Sequence, residues 1–387
     1  MPTSKIVTSS ITDDAVTSGK IASGVVPVLR PNAQPLIING DMAVAQRTSS
    51  GTSLASVSSG VTYISDRFGY STTSAGTWTL SQEAITSGSP FDNGFRTAFK
   101  ADNTTANGSL SAGSNIQFTQ KIEAQDLQVL KYGSSNAEKM TLSFWVKATK
   151  TGTNVIEIYA HDSGRSVSVA YTVSTTNTWE KKTVLIPADT GGTINNDNGA
   201  GLEVIWWLAA GTNFTSGSLQ TSWGANTATA RAVGQVNNAD STSNNIHITA
   251  VQLEVGEYTA STIPPFQQED FATNIIRCKR YYQEMNRPSY GDNTMLVGIT
   301  TNGNQMFMMR LPVPMRSAPT ISMTGTTITV YSTNSSANVS ASNPTLSAGT
   351  FGTNGGRLLY AKIGDNGHGS WVDIDNNNTS MNFASEL

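Results

Sequence analysis

The first thirty residues carry an apolar side chain at every fifth position, and this spacing constrains their fold strongly. The residues are Ile6, Ile11, Val16, Ile21 and Val26, in a run rich in Ser, Thr, Asp, Gly and Lys. A period of five matches neither the strand period of two nor the helical period of 3.6, so no single regular element buries this row. Several chains around one axis can bury it, because each contributes one contact per layer. The spacing predicts an oligomeric stalk over residues 1–35, most simply three-fold; the alternative is a polar tail with chance spacing.

Composition excludes several classes of function. The 387 residues carry a net charge of −3, with 13% charged residues and no basic cluster, so we expect no nucleic-acid partner. No apolar run approaches the roughly 18–20 residues that span a bilayer, and no basic region followed by an apolar core begins the chain. We therefore expect neither membrane insertion nor a secretory signal. The single Cys278 excludes an intramolecular disulfide and a thiolate metal cage.

Residues 36–263 show the pattern of one long all-β unit. Pro27, Pro31 and Pro35 precede it and favour an extended connector. Short segments of β-branched and aromatic residues follow, each bounded by Gly, Asn, Asp or Pro; they are residues 78–80, 116–118, 141–146, 155–159, 183–186, 203–208 and 246–251. Strands at this spacing predict a jelly-roll β-sandwich of two antiparallel sheets.

A second boundary is predicted at Pro264 and Pro265, followed by a helix over residues 269–285. Its apolar residues lie four, three, four and three positions apart; they are Phe271, Ile275, Cys278, Tyr282 and Met285. This 3.5-residue repeat keeps one seam facing a partner, so we expect the stripe to be buried in assembly or domain docking. Alternating segments return beyond the helix, which makes residues 264–387 a helix plus a small β domain.

Several segments, in sequential order, resemble those of bacteriophage tail-fibre proteins. Residues 36–47 (LIINGDMAVAQR) resemble the opening of a common fibre module, and residues 63–68 (YISDRF) resemble its next step, with Phe in place of Trp. Further matching segments are residues 142–148 (LSFWVKA), 178–180 (TWE), 250–256 (AVQLEVG), 278–282 (CKRYY) and 311–320 (LPVPMRSAPT). Residues 11–22 also resemble the repeated neck segments of such fibres.

The resemblance implies a homotrimeric receptor-binding protein of the virion, assembled in the host cytoplasm. Its jelly roll would be similar to carbohydrate-binding modules, and its partners would be copies of itself, tail or baseplate proteins at the N-terminus, and host cell-surface glycan. The motif residues look like core and turn positions, so no receptor contacts are carried over from the family. In the motif at residues 142–147, Ser143, Trp145 and Lys147 alternate with Leu142, Phe144 and Val146, and we expect them on the opposite strand face.

Catalytic signatures are weak, so we expect adhesion without catalysis. His161, His247 and His368 lie far apart in the sequence, and neither a His-Glu-x-x-His motif nor a Gly-x-Ser-x-Gly elbow occurs. No pattern pairs two carboxylates for glycoside hydrolysis, and no repeat of 20–30 residues indicates a β-helix depolymerase. The alternatives are a structural virion protein, such as a capsid decoration or a collar or adaptor subunit, and less favoured, a polysaccharide depolymerase.

A structural calcium ion is the one cofactor that the resemblance suggests. Carbohydrate-binding jelly rolls often hold calcium between their first and last strands, and Asp41 and Glu254 would be the matching positions. Two other acidic runs, residues 195–199 and 373–377, also have oxygen ligands, but Asn and Asp are ordinary turn residues.

Exposed aromatic rings are the candidates for glycan binding. Trp206 and Trp207 are adjacent in a predicted strand, so one should enter the core and the other should face solvent or a neighbouring subunit. Trp223 lies in a polar segment beside Gly224, which favours an exposed loop. Trp371 lies with Asp373 and Asp375 in a polar segment far from the stalk, and we expect these three to contact the receptor. Buried packing is the alternative for each indole.

Overall fold

The computed structural model describes residues 34–47, 52–54, 61–286, 296–300, 304–324, 328–332, 335–341, 347–361, 369–374 and 380–387. The predicted stalk, with Ile6, Ile11, Val16, Ile21 and Val26, lies outside the described residues, so the trimer stays a prediction. In the described part of the chain, no helix is both long enough and apolar enough to cross a bilayer.

Two antiparallel sheets form a sandwich between Thr52 and Val255, which confirms the predicted all-β fold. The six-stranded sheet has the order β1 (Thr52–Leu54), β4 (Thr77–Ala84), β5 (Thr97–Thr105), β13 (Asn245–Val255), β7 (Met140–Ala148) and β10 (Glu180–Ile186). The seven-stranded sheet has the order β12 (Gly224–Ala225), β9 (Arg165–Val173), β8 (Gly152–Ala160), β11 (Ala200–Ala210), β6 (Asn115–Glu123), β3 (Gly69–Thr73) and β2 (Thr62–Tyr63). Short helices α1 (Ser89–Asp92) and α2 (Thr212–Thr215), and 3-10 turns at Ala124–Leu130 and Ala228–Ala230, connect the strands.

The core lies between the two sheets and is rich in aromatic rings. Phe99 and Phe118 stack with their centroids 4.2 Å apart, and Trp206 packs against Phe118 at 5.7 Å. The predicted alternation on β7 is present: Leu142, Phe144 and Val146 are fully buried in the core, whereas Trp145 and Lys147 are half-buried on the outer face. Large rings bury much apolar area each, so this cluster holds the sheets together and fixes their register.

The environment of Trp207 differs from the one that we expected from the sequence. It points away from Trp206, as predicted, but it is fully buried by its own chain instead of facing solvent or a neighbouring subunit. The segment after β11 folds back over it, placing the Phe214 ring 5.1 Å away and the Arg231 guanidinium 5.0 Å from the Trp207 ring centroid. The indole nitrogen donates a hydrogen bond to buried Glu157 at 3.1 Å, so the ring is satisfied within the fold.

The described residues of the C-terminal part form one helix and two further sheets. Helix α3 spans Phe271–Lys279. A three-stranded sheet has the order β14 (Tyr282–Asn286), β23 (Ser380–Ala384) and β17 (Thr320–Thr324). A seven-stranded sheet has the order β19 (Ser335–Ala341), β18 (Ile328–Ser332), β22 (Gly369–Ile374), β15 (Leu296–Thr300), β16 (Asn304–Arg310), β21 (Gly355–Ala361) and β20 (Ser347–Gly352).

Helix α3 is shorter than predicted, and its apolar stripe is interrupted. The helix ends at Lys279 because the chain turns there and Tyr282 already belongs to strand β14. Phe271 is 60% exposed, so the expectation of a continuous buried stripe is wrong at that end. Cys278 is buried and Ile275 is half-buried, and both pack within the chain against Ile38. The helix therefore docks on the start of the sandwich domain; whether its exposed end also contacts another copy stays a prediction.

Candidate binding groove on the six-stranded sheet

The outer face of the six-stranded sheet carries a polar cavity of about 390 Å³. Its floor is formed by His247 of β13 and Lys147 of β7, which lie opposite each other, and Lys100 of β5 lies opposite His247 on the other side. Directly opposed residues share one face of a sheet, so these three side chains lie side by side. The chain around the floor contributes the walls, which include Glu83, Ser87, Gly88, Asn177 and Trp179.

Trp179 forms an aromatic wall of this cavity. It lies in the turn just before β10, is half-buried, and contacts the His247 ring edge-on with centroids 5.9 Å apart. The Lys147 ammonium lies 5.3 Å from the Trp179 ring centroid, within the range of a cation–π contact. On the other side the turn at Gly88 approaches closely, since a Cβ there would lie 3.3 Å from Cδ1 of Trp179. The indole is thus held in place by packing while part of it lines the cavity.

His247 is the most buried polar group of the cavity. It is only 4% exposed, and its Nε2 lies 3.3 Å from Oε1 of Glu83. Burial, reinforced by the charge of Lys147, lowers the pKa of His247 to about 4, although Glu83 acts in the opposite direction. The imidazole is therefore neutral at pH 7.

The carboxylate of Glu83 determines which nitrogen of the His247 ring carries the hydrogen. Burial acts to raise the pKa of Glu83, but His247, when protonated, and Lys100 outweigh it, so the net shift is downward. An ionised carboxylate only accepts hydrogen bonds, so Nε2 of the neutral ring must carry the hydrogen. Nδ1 is then left as an acceptor, and it is buried without a hydrogen-bond partner among the described residues.

A second cavity of about 260 Å³ lies beside the first on the same face. It is lined by Trp145, which is two positions before Lys147 on β7, and by Lys181, which pairs with Trp145 across β7 and β10. We call the two cavities together the sheet groove, which comprises Glu83, Trp145, Lys147, Trp179, Lys181 and His247. Two indoles with polar groups between them match the composition of a binding site, where a few polar groups orient a ligand on apolar walls.

The candidate tryptophans from the sequence lie elsewhere. Trp223 is half-buried just before β12 of the other sheet, where its indole nitrogen donates a 2.7 Å hydrogen bond to the Pro187 carbonyl oxygen and its ring packs against Tyr132. Trp371 and Asp373 belong to β22, which pairs with β15 and β18 on its two sides, so the polar segment that carries them includes a central strand. Asp375 lies outside the described residues. The four predicted residues are therefore not shown together in one site.

The predicted calcium position is a small cavity near helix α3. Asp41 and Glu254 both line it, and its volume of about 20 Å³ has room for about one water molecule. Burial raises the pKa of Asp41, and its carboxylate already accepts hydrogen bonds from the Ala43 amide at 3.3 Å and the Asn274 amide at 3.2 Å. Calcium takes six to eight oxygen ligands, whereas Asn274 presents its NH₂ group here, so the arrangement does not fit the ion. Across the described residues, no group of three or more acidic, His or Cys side chains could hold a metal.

Part of the sheet groove has a signal in the sequence. The alternation of residues 142–147 placed Trp145 and Lys147 on the outer face, and Trp179 belongs to a recognised motif. His247 and Glu83 could not be added, because their position beside Lys147 depends on the register of β4, β5 and β13, which no local pattern reveals.

Comparison with known proteins gives likenesses in solved structures. No protein-family model matches the chain, and no curated protein matches it. The solved structures include the enzymatically active domain of tailspike protein 4 from bacteriophage CBA120, with 16% identity over 57% of this chain and a TM-score of 0.28. The chain spans only 21% of that tailspike domain.

Carbohydrate-binding modules also occur among the similar structures. The family 11 module of Clostridium thermocellum, in complex with a mixed-linked tetrasaccharide, shows 11% identity over 54% of this chain and 97% of its own, with a TM-score of 0.26. The tandem CBM22 domain of Paenibacillus barcinonensis Xyn10C shows 10% identity over 88% of this chain and all of its own, with a TM-score of 0.26. At such low scores these likenesses do not identify a ligand or a role for this chain.

Proposed function

We propose that this chain is a non-catalytic glycan-binding protein and that the sheet groove is its binding site. The observation that carries the proposal is the pair Trp145 and Trp179, two half-buried indoles that line the groove on the outer side of the six-stranded sheet. Sugar rings present C–H faces that stack on indoles, and hydroxyls that bond to polar side chains. Asn177 and Glu83 supply such polar groups in the groove.

We further propose that the protein is the attachment fibre of a virion. The support is the ordered set of motifs that resemble tail fibres, together with the predicted three-fold stalk at residues 1–35. In this proposal the N-terminal segment docks on other tail or baseplate proteins, and three grooves per fibre act together. Several weak sites on one particle raise the effective concentration and give strong attachment without a tight single site.

The residues of the groove favour binding of a glycan without hydrolysis. Glycoside hydrolysis generally needs two carboxyl groups flanking the bond, one as acid and one as base or nucleophile. Among the described residues that line the groove, Glu83 is the one carboxylate, and its lowered pKa makes it a poor proton donor at pH 7. A depolymerase would reveal itself by shortening the bound polysaccharide.

The test is binding of the purified full chain to a glycan array that includes bacterial surface polysaccharides. We expect binding by the parent, and a loss of at least about tenfold in affinity for Trp179→Ala, as for a lost aromatic anchor. Trp371→Ala is the matched control, since it removes the indole that the sequence favoured. If the parent binds no glycan, this proposal is wrong, and the chain is better explained as a structural virion protein such as a capsid decoration or a collar or adaptor subunit. If Trp179→Ala binds as the parent does, the site lies outside the groove.

A further inference from the structure

We propose that the sheet groove selects an acidic glycan whose sugars carry a carboxylate, recognised by Lys147 and Lys181. This inference rests on the proposed glycan-binding function and adds the chemical class of the ligand. On the outer face of the six-stranded sheet, some lysines form ion pairs with carboxylates and others do not.

Lys147 and Lys181 lack the carboxylate partners that neighbouring lysines have among the described residues. Lys100 lies 3.3 Å from the Glu83 carboxylate and 3.7 Å from that of Asp102, and Lys182 lies 2.5 Å from Glu180. For Lys147 and Lys181, no carboxylate of a described residue lies within 4.0 Å. The groove therefore presents two unneutralised ammonium groups beside its aromatic walls.

The position of these ammonium groups suits an anionic sugar. Lys147 lies over the Trp179 ring, and Lys181 lies opposite Trp145, so each cation adjoins an indole. A sugar stacked on an indole would bring a carboxylate on its ring within reach of the adjacent lysine. Charge-assisted hydrogen bonds are the stronger kind, and one to half-buried Lys147 would be screened by salt less than one in open solvent.

Two further groups define where the carboxylate can lie. Glu83 repels an anion, but its charge is shared with Lys100 at 3.3 Å, so repulsion is weakest on the side of the groove toward Lys147. His247 is neutral at pH 7, so its ring neither attracts nor repels the carboxylate by charge. A sugar that carries a carboxylate would pair with a lysine and stack on an indole at the same time, which a neutral sugar or a bare inorganic anion does not.

The experiment compares each polysaccharide with its own carboxyl-reduced form. The probes are polygalacturonate, alginate, polysialic acid and every polysaccharide bound on the glycan array, each titrated calorimetrically into the full-length protein. Carboxyl reduction converts the acid to an alcohol and leaves the chain otherwise intact. We expect the native form of a bound polysaccharide to bind at least tenfold more tightly than its reduced form. A hydrofluoric-acid-treated sample, from which phosphate is removed, should bind as well as the untreated one.

Variants of the lysines provide the second arm. We expect Lys147→Gln to lose at least tenfold in affinity for the native form and little for the reduced form, and Lys147→Arg to retain binding. Lys139→Gln is the control, because this exposed lysine is paired with Glu257. Tight binding of neutral polysaccharides alone, equal binding of reduced forms, or loss only on phosphate removal would overturn the acidic-glycan inference and leave glycan binding standing. Absence of binding to every polysaccharide would instead overturn the proposed function.

Discussion

The Arg67 guanidinium lies 3.4 Å from the centroid of the Tyr281 ring, joining the start of the sandwich to the segment that follows helix α3. Arg67 is only 2% exposed and forms an ion pair with Glu386. Burial acts to lower the pKa of Arg67, but Glu386 together with Tyr281 and Tyr63 outweighs it, so the net shift is upward and the group stays charged. Arg47 repeats the arrangement, with its guanidinium 3.7 Å from the Tyr282 ring centroid and a 2.8 Å hydrogen bond to Glu386. Three of the motifs that resemble tail fibres thus meet in one buried polar junction.

The first prediction concerns this junction. Glu386→Gln leaves the buried Arg67 charge without its counterion, and breaking a buried ion pair from one side costs about 3–5 kcal/mol. We expect a loss of about that size in the free energy of unfolding, measured by urea titration. Glu138→Gln removes the partner of exposed Lys131 and should change stability by less than about 1 kcal/mol. Equal effects of the two variants would show that the junction does not hold the domains together.

The second prediction concerns the thiol of Cys278. It is fully buried, and burial raises its pKa well above the ordinary range, so both access and thiolate formation are suppressed. We expect Ellman reagent to react at least roughly a hundredfold more slowly in native buffer than in denaturant. In a Cys278→Ala background, Ile276→Cys places a thiol at a 54% exposed position of the same helix and should react rapidly. Rapid reaction of native Cys278 would contradict the docking of α3 on the sandwich.

The third prediction concerns assembly. The apolar residues at every fifth position of the predicted stalk lead us to expect a trimer. The parent should therefore show the mass of three 41.0 kDa chains in light scattering. Replacing Ile11 and Ile21 together by Asp would place like charges on the axis, where burial is costly, and should yield monomers. The control, Ser9→Asp with Ser18→Asp, adds the same charge outside the apolar row and should stay trimeric. A monomeric parent at micromolar concentration would refute the stalk.

The fourth prediction concerns pH and His247. Its pKa falls from 6.5 to about 4 on folding, so between these values the unfolded chain binds more protons than the folded one. The contribution of the neutral ring is fully present above pH 6.5 and is lost as the pH falls toward 4, on the order of 2–3 kcal/mol. His247→Gln should therefore lose less stability than the parent between pH 7 and pH 4.5, by urea titration at each pH. Parallel losses in the two proteins would mean that His247 is not buried neutral.

Local periodicity predicted the fold class and the faces of individual strands, whereas the site depends on contacts between distant segments. Alternation alone placed Trp145 and Lys147 outward and Phe144 inward. Alternation could not reveal that the chain after β11 covers Trp207. The 3.5-residue spacing could not reveal that Tyr282 begins a strand, because the same spacing is compatible with a helix that continues and with a helix that ends in a turn. The neutral state of His247 depends on burial by neighbours from other strands, which composition does not encode.

The most direct test of the central claim is NMR of the tryptophan side chains, whose seven indole N–H signals can be assigned by substitution. Adding a polysaccharide that the protein binds should shift the signals of Trp145 and Trp179, which line the sheet groove. The signals of core Trp78 and Trp206 should stay in place. A shift of Trp223 or Trp371, with Trp145 and Trp179 unmoved, would contradict the account and locate binding elsewhere.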